Sequence, residues 1–160
     1  MAGALNIPYF DSDDFYHEPT DPPFQRPRDP AVRNALLLAA IGEDQAWVFG
    51  GGIAGWEPYP ALDFTFMILL RTPAALRIER LRRRERERFG DRILPGGDMH
   101  VGHEEFIAWA SRYDIGDVEG KTLARHQEYL STQQCPVLEV QGDQPEGELL
   151  RLVLTKLGQV

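Results

Sequence analysis

Residues 10–16 read FDSDDFY and follow directly on the apolar run IPYF at 7–10. A short apolar run cut off by aspartates has the pattern of a buried strand that ends in a turn. What that strand pairs with decides the fold, and three later runs offer themselves. AWVFG at 46–50 is a second buried strand and passes straight into GGGIAG. DFTFMILLR at 63–71 is the strongest strand, apolar on both faces, as strands of helix-covered parallel sheets are. CPVLEV at 135–140 is the last.

Helical patterns fill the intervals. Asp29 and Pro30 have the chemistry of an N-cap and a first helical position, so a helix is expected over about 31–41, with Leu36, Leu37 and Ala40 inward. A long helix starts after Pro73 (AALRIERLRRRERERF) and stops at Gly90. HEEFIAWASRYD at 103–114 is helical, with Phe106, Ala110 and Tyr113 on one side, and so is KTLARHQEYLST at 121–132. PEGELLRLVLTKLG at 145–158 closes the chain as an amphipathic helix with Leu149, Leu150, Val153 and Leu157 inward. The proline-rich HEPTDPPFQRPRDP at 17–30 is a loop. There is no internal repeat and no linker composition. Strands alternating with helices predict one α/β domain over residues 1–160, a parallel sheet with helices on both faces. Ligands of such sheets bind beyond the carboxyl ends of the strands. Asp11, Asp13 and Asp14 follow the first strand, Gly50, Gly51 and Gly52 the second, Arg71 and Thr72 the third, and one shared rim is expected.

Composition narrows the class. The 160 residues are 42% hydrophobic and 26% charged, ordinary for a globular domain with a core of its own. A net charge of −8 argues against nucleic acid as partner, since phosphate contacts need a positive face. A lone cysteine, Cys135, fits a reducing compartment, and its place before Pro136 and a strand suggests a structural role. No apolar run approaches the ~20 residues that span a bilayer, and the N-terminus lacks a signal-like pattern. A cytoplasmic protein without membrane partners is expected.

Four stretches carry chemistry. In extended backbone Asp11 and Asp13 point the same way, and two such carboxylates suit a magnesium ion and a substrate hydroxyl. The plainer alternative is a solvated turn with an Asx cap. The glycines at 50–52 let a ligand approach the backbone, or else form a flexible loop. In RIERLRRRERERFGDR, Arg77, Arg80, Arg84 and Arg88 fall on one helical stripe. Interleaved glutamates make much of this a solvated helix laced with ion pairs. Guanidinium groups near a glycine-rich break also grip polyphosphate, with Arg84, Arg88 and Arg92 the favoured three. Asp98, His100, His103 and Glu104 offer metal-ligand types without the H-E-x-x-H spacing; acids at a helix start explain them as well.

The order of FDSDDFY, a strand ending in GGG, an apolar third strand and an arginine-rich helix resembles the small P-loop kinases, shikimate kinases among them. DSDDFYHEPTDPPF, RFGDRILPGGDM, WASRYD and CPVLEVQGD look closer still to bacterial proteins described as adenylate-kinase-like, uridine-kinase-like or AAA-family ATPases. The resemblance covers nearly the whole chain. It implies ATP and Mg2+ as cofactors and transfer of the terminal phosphoryl group to a small-molecule acceptor. By resemblance, Asp11 and Asp13 are the magnesium- and acceptor-binding acids, with Asp11 the metal ligand. Gly50, Gly51 and Gly52 resemble the acceptor-side glycine run; beside the resemblance, Asp14 and, in the proline-rich loop, Gln25, Arg26 and Arg28 are candidates to hold the acceptor. Arg84, Arg88 and Arg92 resemble arginines of a lid, about residues 84–118, that close on the phosphates. Gly142 and Asp143 resemble the loop beside adenine.

One part of that pattern is missing. The chain contains no G-x-x-x-x-G-K-[ST], the loop that cradles phosphates, and MAGAL at 1–5 looks like the tail of the helix that follows it. In the kinases the strand that leads into that loop lies between the GGG strand and the third one. The expectation is that the natural protein begins upstream, by roughly 20–25 residues at typical element lengths. Two other classes stand beside the kinase: a non-catalytic remnant that binds a small ligand, and a metal-dependent hydrolase using Asp98, His100 and His103.

Overall fold

Asp29 starts the first long helix as its chemistry requires, its carboxylate accepting the backbone N–H groups of Ala31 and Val32 at 2.9 and 3.2 Å. The computed structural model describes residues 1–42 and 46–158. They belong to two units, residues 1–63 and 64–160.

The first unit runs α1 (Ala2–Leu5), β1 (Tyr9–Asp11), α2 (Ser12–Tyr16), α3 (Pro30–Ile41) and β2 (Val48–Gly50). β1 and β2 pair in parallel, Tyr9 with Val48, Phe10 with Phe49 and Asp11 with Gly50. The core gathers Leu37, Ile41, Ile53, Ala54 and Trp56. Leu36 and Ala40, expected inward, face out, and Leu36 is 44% exposed. α3 is apolar on nearly every side, so its periodicity could not select a face. The buried stripe is Arg33, Leu37 and Ile41, one residue per turn at i, i+4 spacing. Arg33 is only 3% exposed and lies over the Trp56 ring at 4.4 Å. Its Nη2 donates to the Trp56 carbonyl at 2.6 Å. The loop at 17–30 folds back on itself: His17 bridges Pro27, and Arg28 donates to the carbonyls of Phe15 and His17 at 3.0 and 2.8 Å.

The second unit runs β3 (Met67–Arg71), α4 (Ala74–Phe89), a 3-10 turn (Gly90–Ile93), α5 (His100–Ser111), α6 (Leu123–Ser131), β4 (Val137–Gln141) and α7 (Glu146–Lys156). β3 and β4 pair in parallel from Met67–Val137 through Arg71–Gln141. The strand is shorter than the run at 63–71 suggests. Met67 donates to the Pro136 carbonyl at 3.0 Å, and Pro136 has no N–H with which to carry the ladder further back. Gly90, at φ 58, stops α4 in a conformation that suits glycine. Met67, Ile93, Ile107, Ala110, Val140 and Val153 form the core.

The architecture is mixed α/β, built from two parallel two-stranded sheets and helices. No helix among the described residues is long and apolar enough to cross a membrane.

Candidate functional site

The carboxyl end of β1 delivers Asp11, and the backbone turns there. At φ −95 and ψ 133, Asp11 is the last extended residue and the N-cap of α2. Its Oδ1 accepts the Asp13 N–H at 3.0 Å, and its Oδ2 accepts the Tyr9 hydroxyl at 3.1 Å. Asp13 therefore stands in the first turn of a helix with Asp14, not on an extended segment beside Asp11. The expected period-two geometry gives way to an Asx cap, because a cap satisfies an N–H that extended backbone would leave open. Partial burial, then the charge of Asp11, pushes the Tyr9 phenol above its ordinary range.

Asp11 lies opposite Gly50 across the ladder. A Cβ on Gly50 would meet the Tyr9 hydroxyl, and one on Gly51 would meet the Ser12 Oγ. Gly51 also sits at φ 86. These two glycines thus make room for side chains of the protein itself; Gly52 follows before the buried pair Ile53 and Ala54. In the loop, Arg26 pairs with Glu18 at 2.9 Å. The Gln25 side chain donates to the Pro23 carbonyl at 3.4 Å.

In the second unit, the stretch after β3 meets the first turns of α4. Thr72, Arg77, Arg80, Leu81 and Arg84 line a cavity of about 150 Å³. Arg77 is tightly held. It donates to the Thr72 carbonyl at 3.1 Å, pairs with Asp114 at 2.7 Å, and lies over the Tyr113 ring at 4.9 Å. Its Nε–H is buried without a hydrogen-bond partner. Arg80 donates to the Gly142 carbonyl at 2.6 Å. Gly142 in turn donates to the Arg71 carbonyl at 2.6 Å, and a Cβ there would collide with the Thr72 Oγ1. Asp143 follows on the surface.

The three arginines favoured from sequence are dispersed. Arg84 lines the cavity and donates to Glu85 Oε1 through Nε and Nη2 at 3.2 and 3.0 Å. Arg88 lies over the Phe89 ring at 5.2 Å. Arg92 grips Asp98 at 3.0 and 2.7 Å, and that hydrogen bonding holds the Asp98 carboxyl below its usual range. Sequence reasoning passed over Arg77 and Arg80 as site residues. Their signal was spacing: positions 77, 80 and 84 share one face of a helix that begins where a buried strand ends.

Among the metal-ligand types, Asp98 is taken by Arg92, the His100 Nδ1 lies 3.0 Å from the Ile93 carbonyl oxygen, and His103 is 8% exposed. Among the described residues no three His, Cys, Asp or Glu side chains are grouped to hold a metal.

These observations define an α/β protein with a carboxylate and glycines at the end of one parallel strand pair and an arginine-lined cavity beside the end of another. Over 157 residues the chain is 30% identical to the uncharacterized protein YqaC of Bacillus subtilis (strain 168), a match covering 98% of this chain and 86% of that protein. The chain belongs to the family of that protein. No family model matches it, and no solved structure does.

Proposed function

We propose that this protein is a small-molecule kinase that moves the terminal phosphoryl group of ATP to an acceptor hydroxyl. The observation that carries the reading is Asp11: a carboxylate at the carboxyl end of a parallel strand, oriented by the Asp13 N–H and the Tyr9 hydroxyl and facing the glycine end of β2. That is where α/β sheets hold ligands. The strand pairing supports the fold side of the reading. β1 pairs with β2 and β3 with β4, each pair in parallel, as strands of α/β folds do.

In this mechanism Asp11 or Asp13 orients the acceptor hydroxyl and takes its proton. Asp14, Gly50, Gly51, Gly52 and Arg26 border the acceptor. The resemblance gives the steadying of charge on the phosphoryl oxygens to Arg84, Arg88 and Arg92, which here engage Glu85, Phe89 and Asp98. The resemblance gives Gly142 and Asp143 the place beside the base. Asp11 would also hold magnesium. Its donor type fits an ion that keeps several waters and takes one or two carboxylates rather than an all-protein cage. Bound there, the ion would neutralise phosphate charge.

The test is calorimetric titration with ATP in the presence and absence of magnesium, followed by assay of ADP release against a panel of small alcohols and nucleosides. Magnesium-dependent ATP binding with acceptor-stimulated ADP release upholds the kinase. A folded protein that ignores ATP overturns it and leaves a small-ligand binding module.

A further inference from the structure

We infer that Tyr9 gates the acceptor site, a role that rests on the kinase reading of Asp11. Its hydroxyl occupies the Asp11 oxygen that an acceptor hydroxyl would use, and the acceptor enters by displacing it over Gly50. Tyr9 and Asp11 stand two residues apart on β1 and so share a face of the strand. Both oxygens of the Asp11 carboxylate are engaged. Oδ1 accepts the Asp13 N–H at 3.0 Å, the bond that caps α2. Oδ2 accepts the Tyr9 hydroxyl at 3.1 Å. The cap belongs to the backbone of α2 and stays. Oδ2 is therefore the oxygen left for substrate, and the group resting on it is a hydroxyl, as a phosphoryl acceptor would present.

Gly50 ends β2 and Gly51 follows it, and the two differ in what fills the space beside them. A Cβ on Gly51 would strike Ser12, which is 1% exposed and packed in place. A Cβ on Gly50 would meet the hydroxyl and ring edge of Tyr9, which is 54% exposed. The bond to Asp11 is the one hydrogen bond that the Tyr9 side chain makes among the described residues. Exposed side chains change rotamer readily. The space at Gly51 is thus filled for good, and the space at Gly50 by a side chain that can swing away. Closed, the gate keeps water off Oδ2. Water in that place would give a proton to Asp11 while its oxygen bonds to the terminal phosphorus. The bond to ADP then breaks, and free phosphate forms without an acceptor. A closed gate also weakens apparent acceptor binding in proportion to the open fraction.

Tyr9→Phe keeps the ring, removes the hydroxyl and, at an exposed position, leaves the fold intact. ADP release from ATP and Mg2+ is measured for the parent, for Tyr9→Phe, and for Tyr9→Phe combined with Asp11→Asn. Each is assayed without acceptor and then with the best acceptor from the panel of small alcohols and nucleosides. For a gate closed in about four molecules of five, Tyr9→Phe raises acceptor-independent ADP release about fivefold and lowers the acceptor KM by the same factor, with kcat unchanged. The combined variant returns that release to background, because the water then lacks its base. An active parent with release and KM unchanged in Tyr9→Phe overturns the gate and leaves the kinase. A second measurement needs no ATP. The Tyr9 phenol is titrated by ultraviolet difference between the parent and Tyr9→Phe, and again with Asp11→Asn in both. It is expected to ionise above its ordinary range in the parent and at lower pH once the Asp11 charge is gone. Ionisation at the same pH in both backgrounds overturns the gate whatever ATP does. The lower ionisation in Asp11→Asn together with a parent that binds no ATP removes the kinase reading, and the gate with it.

Discussion

Asp11 serves two ends with one carboxylate, capping α2 and standing at the end of β1 as the proposed base. The two are separable, because asparagine caps helices about as well as aspartate but cannot take a proton. Asp11→Asn is expected to unfold within about 0.5 kcal/mol of the parent while phosphoryl transfer disappears. Asp11→Ala should lose about 1 kcal/mol as well, the usual worth of an N-cap. Urea melts of both variants read the first quantity and ADP release the second; an active Asp11→Asn would leave Asp11 a cap only. Gly51 is a purely structural case. Its φ of 86 is strained for any L side chain, and an added methyl would strike the buried Ser12. Gly51→Ala should therefore destabilise by roughly 2 kcal/mol or more, through left-handed strain and overpacking together. A melt unchanged from the parent would show that the loop relaxes freely. FDSDDFY and GGG were both visible in the sequence as special. Whether each glycine spares room for a ligand or for Tyr9 and Ser12 was not, since that depends on which side chains the paired strands bring alongside.

Elements were the most legible level, because caps and periodicity are local. Asp29 and Pro30, Gly90, and the runs at 48–50 and 137–141 each mark a boundary through the residue's own chemistry. α2 was missed, five residues being too short for a helical period to register. The contact between Tyr113, in the turn after α5, and His126 of α6 was also out of reach, and it yields a pH prediction. The Tyr113 hydroxyl lies 2.6 Å from the His126 Nδ1. Burial, then the neighbouring charge of Lys121, holds the His126 pKa below its ordinary value. A histidine depressed in the folded state binds its proton first in the unfolded one. Its contribution to stability is thus complete above about pH 6.5 and is lost as pH falls below that value toward the folded pKa. Thermal melts from neutral to mildly acid pH should show His126→Gln losing less stability than the parent over that interval. Parallel slopes for the two proteins would exclude His126 as a source of the acid sensitivity.

At the scale of the molecule, the presence of strands could be anticipated but their sheet membership could not. Apolar runs announce strands without naming their partners, and the four strands divide into two parallel pairs, one in each unit. A lone pair of strands has little stability of its own and depends on the helices packed against it. Each unit carries such helices, and each has its own buried side chains: Leu37, Ile41 and Trp56 in the first, Met67, Ile107 and Val153 in the second. The boundary between the units at residue 63 lies in a stretch, 59–64, without helix or strand, in which Tyr59, Ala61 and Asp63 are exposed. Backbone of this kind opens locally at low free-energy cost, whereas cleavage inside a core element requires much of the unit to open. A broad-specificity protease at low dose should therefore make its first cut between residues 61 and 64, since Pro58 and Pro60 protect the bonds before them. Mass spectrometry of the early digest should find a pair of fragments meeting there. First cuts within α4 or α5 would instead mean that the second unit opens more readily than the stretch that joins the two.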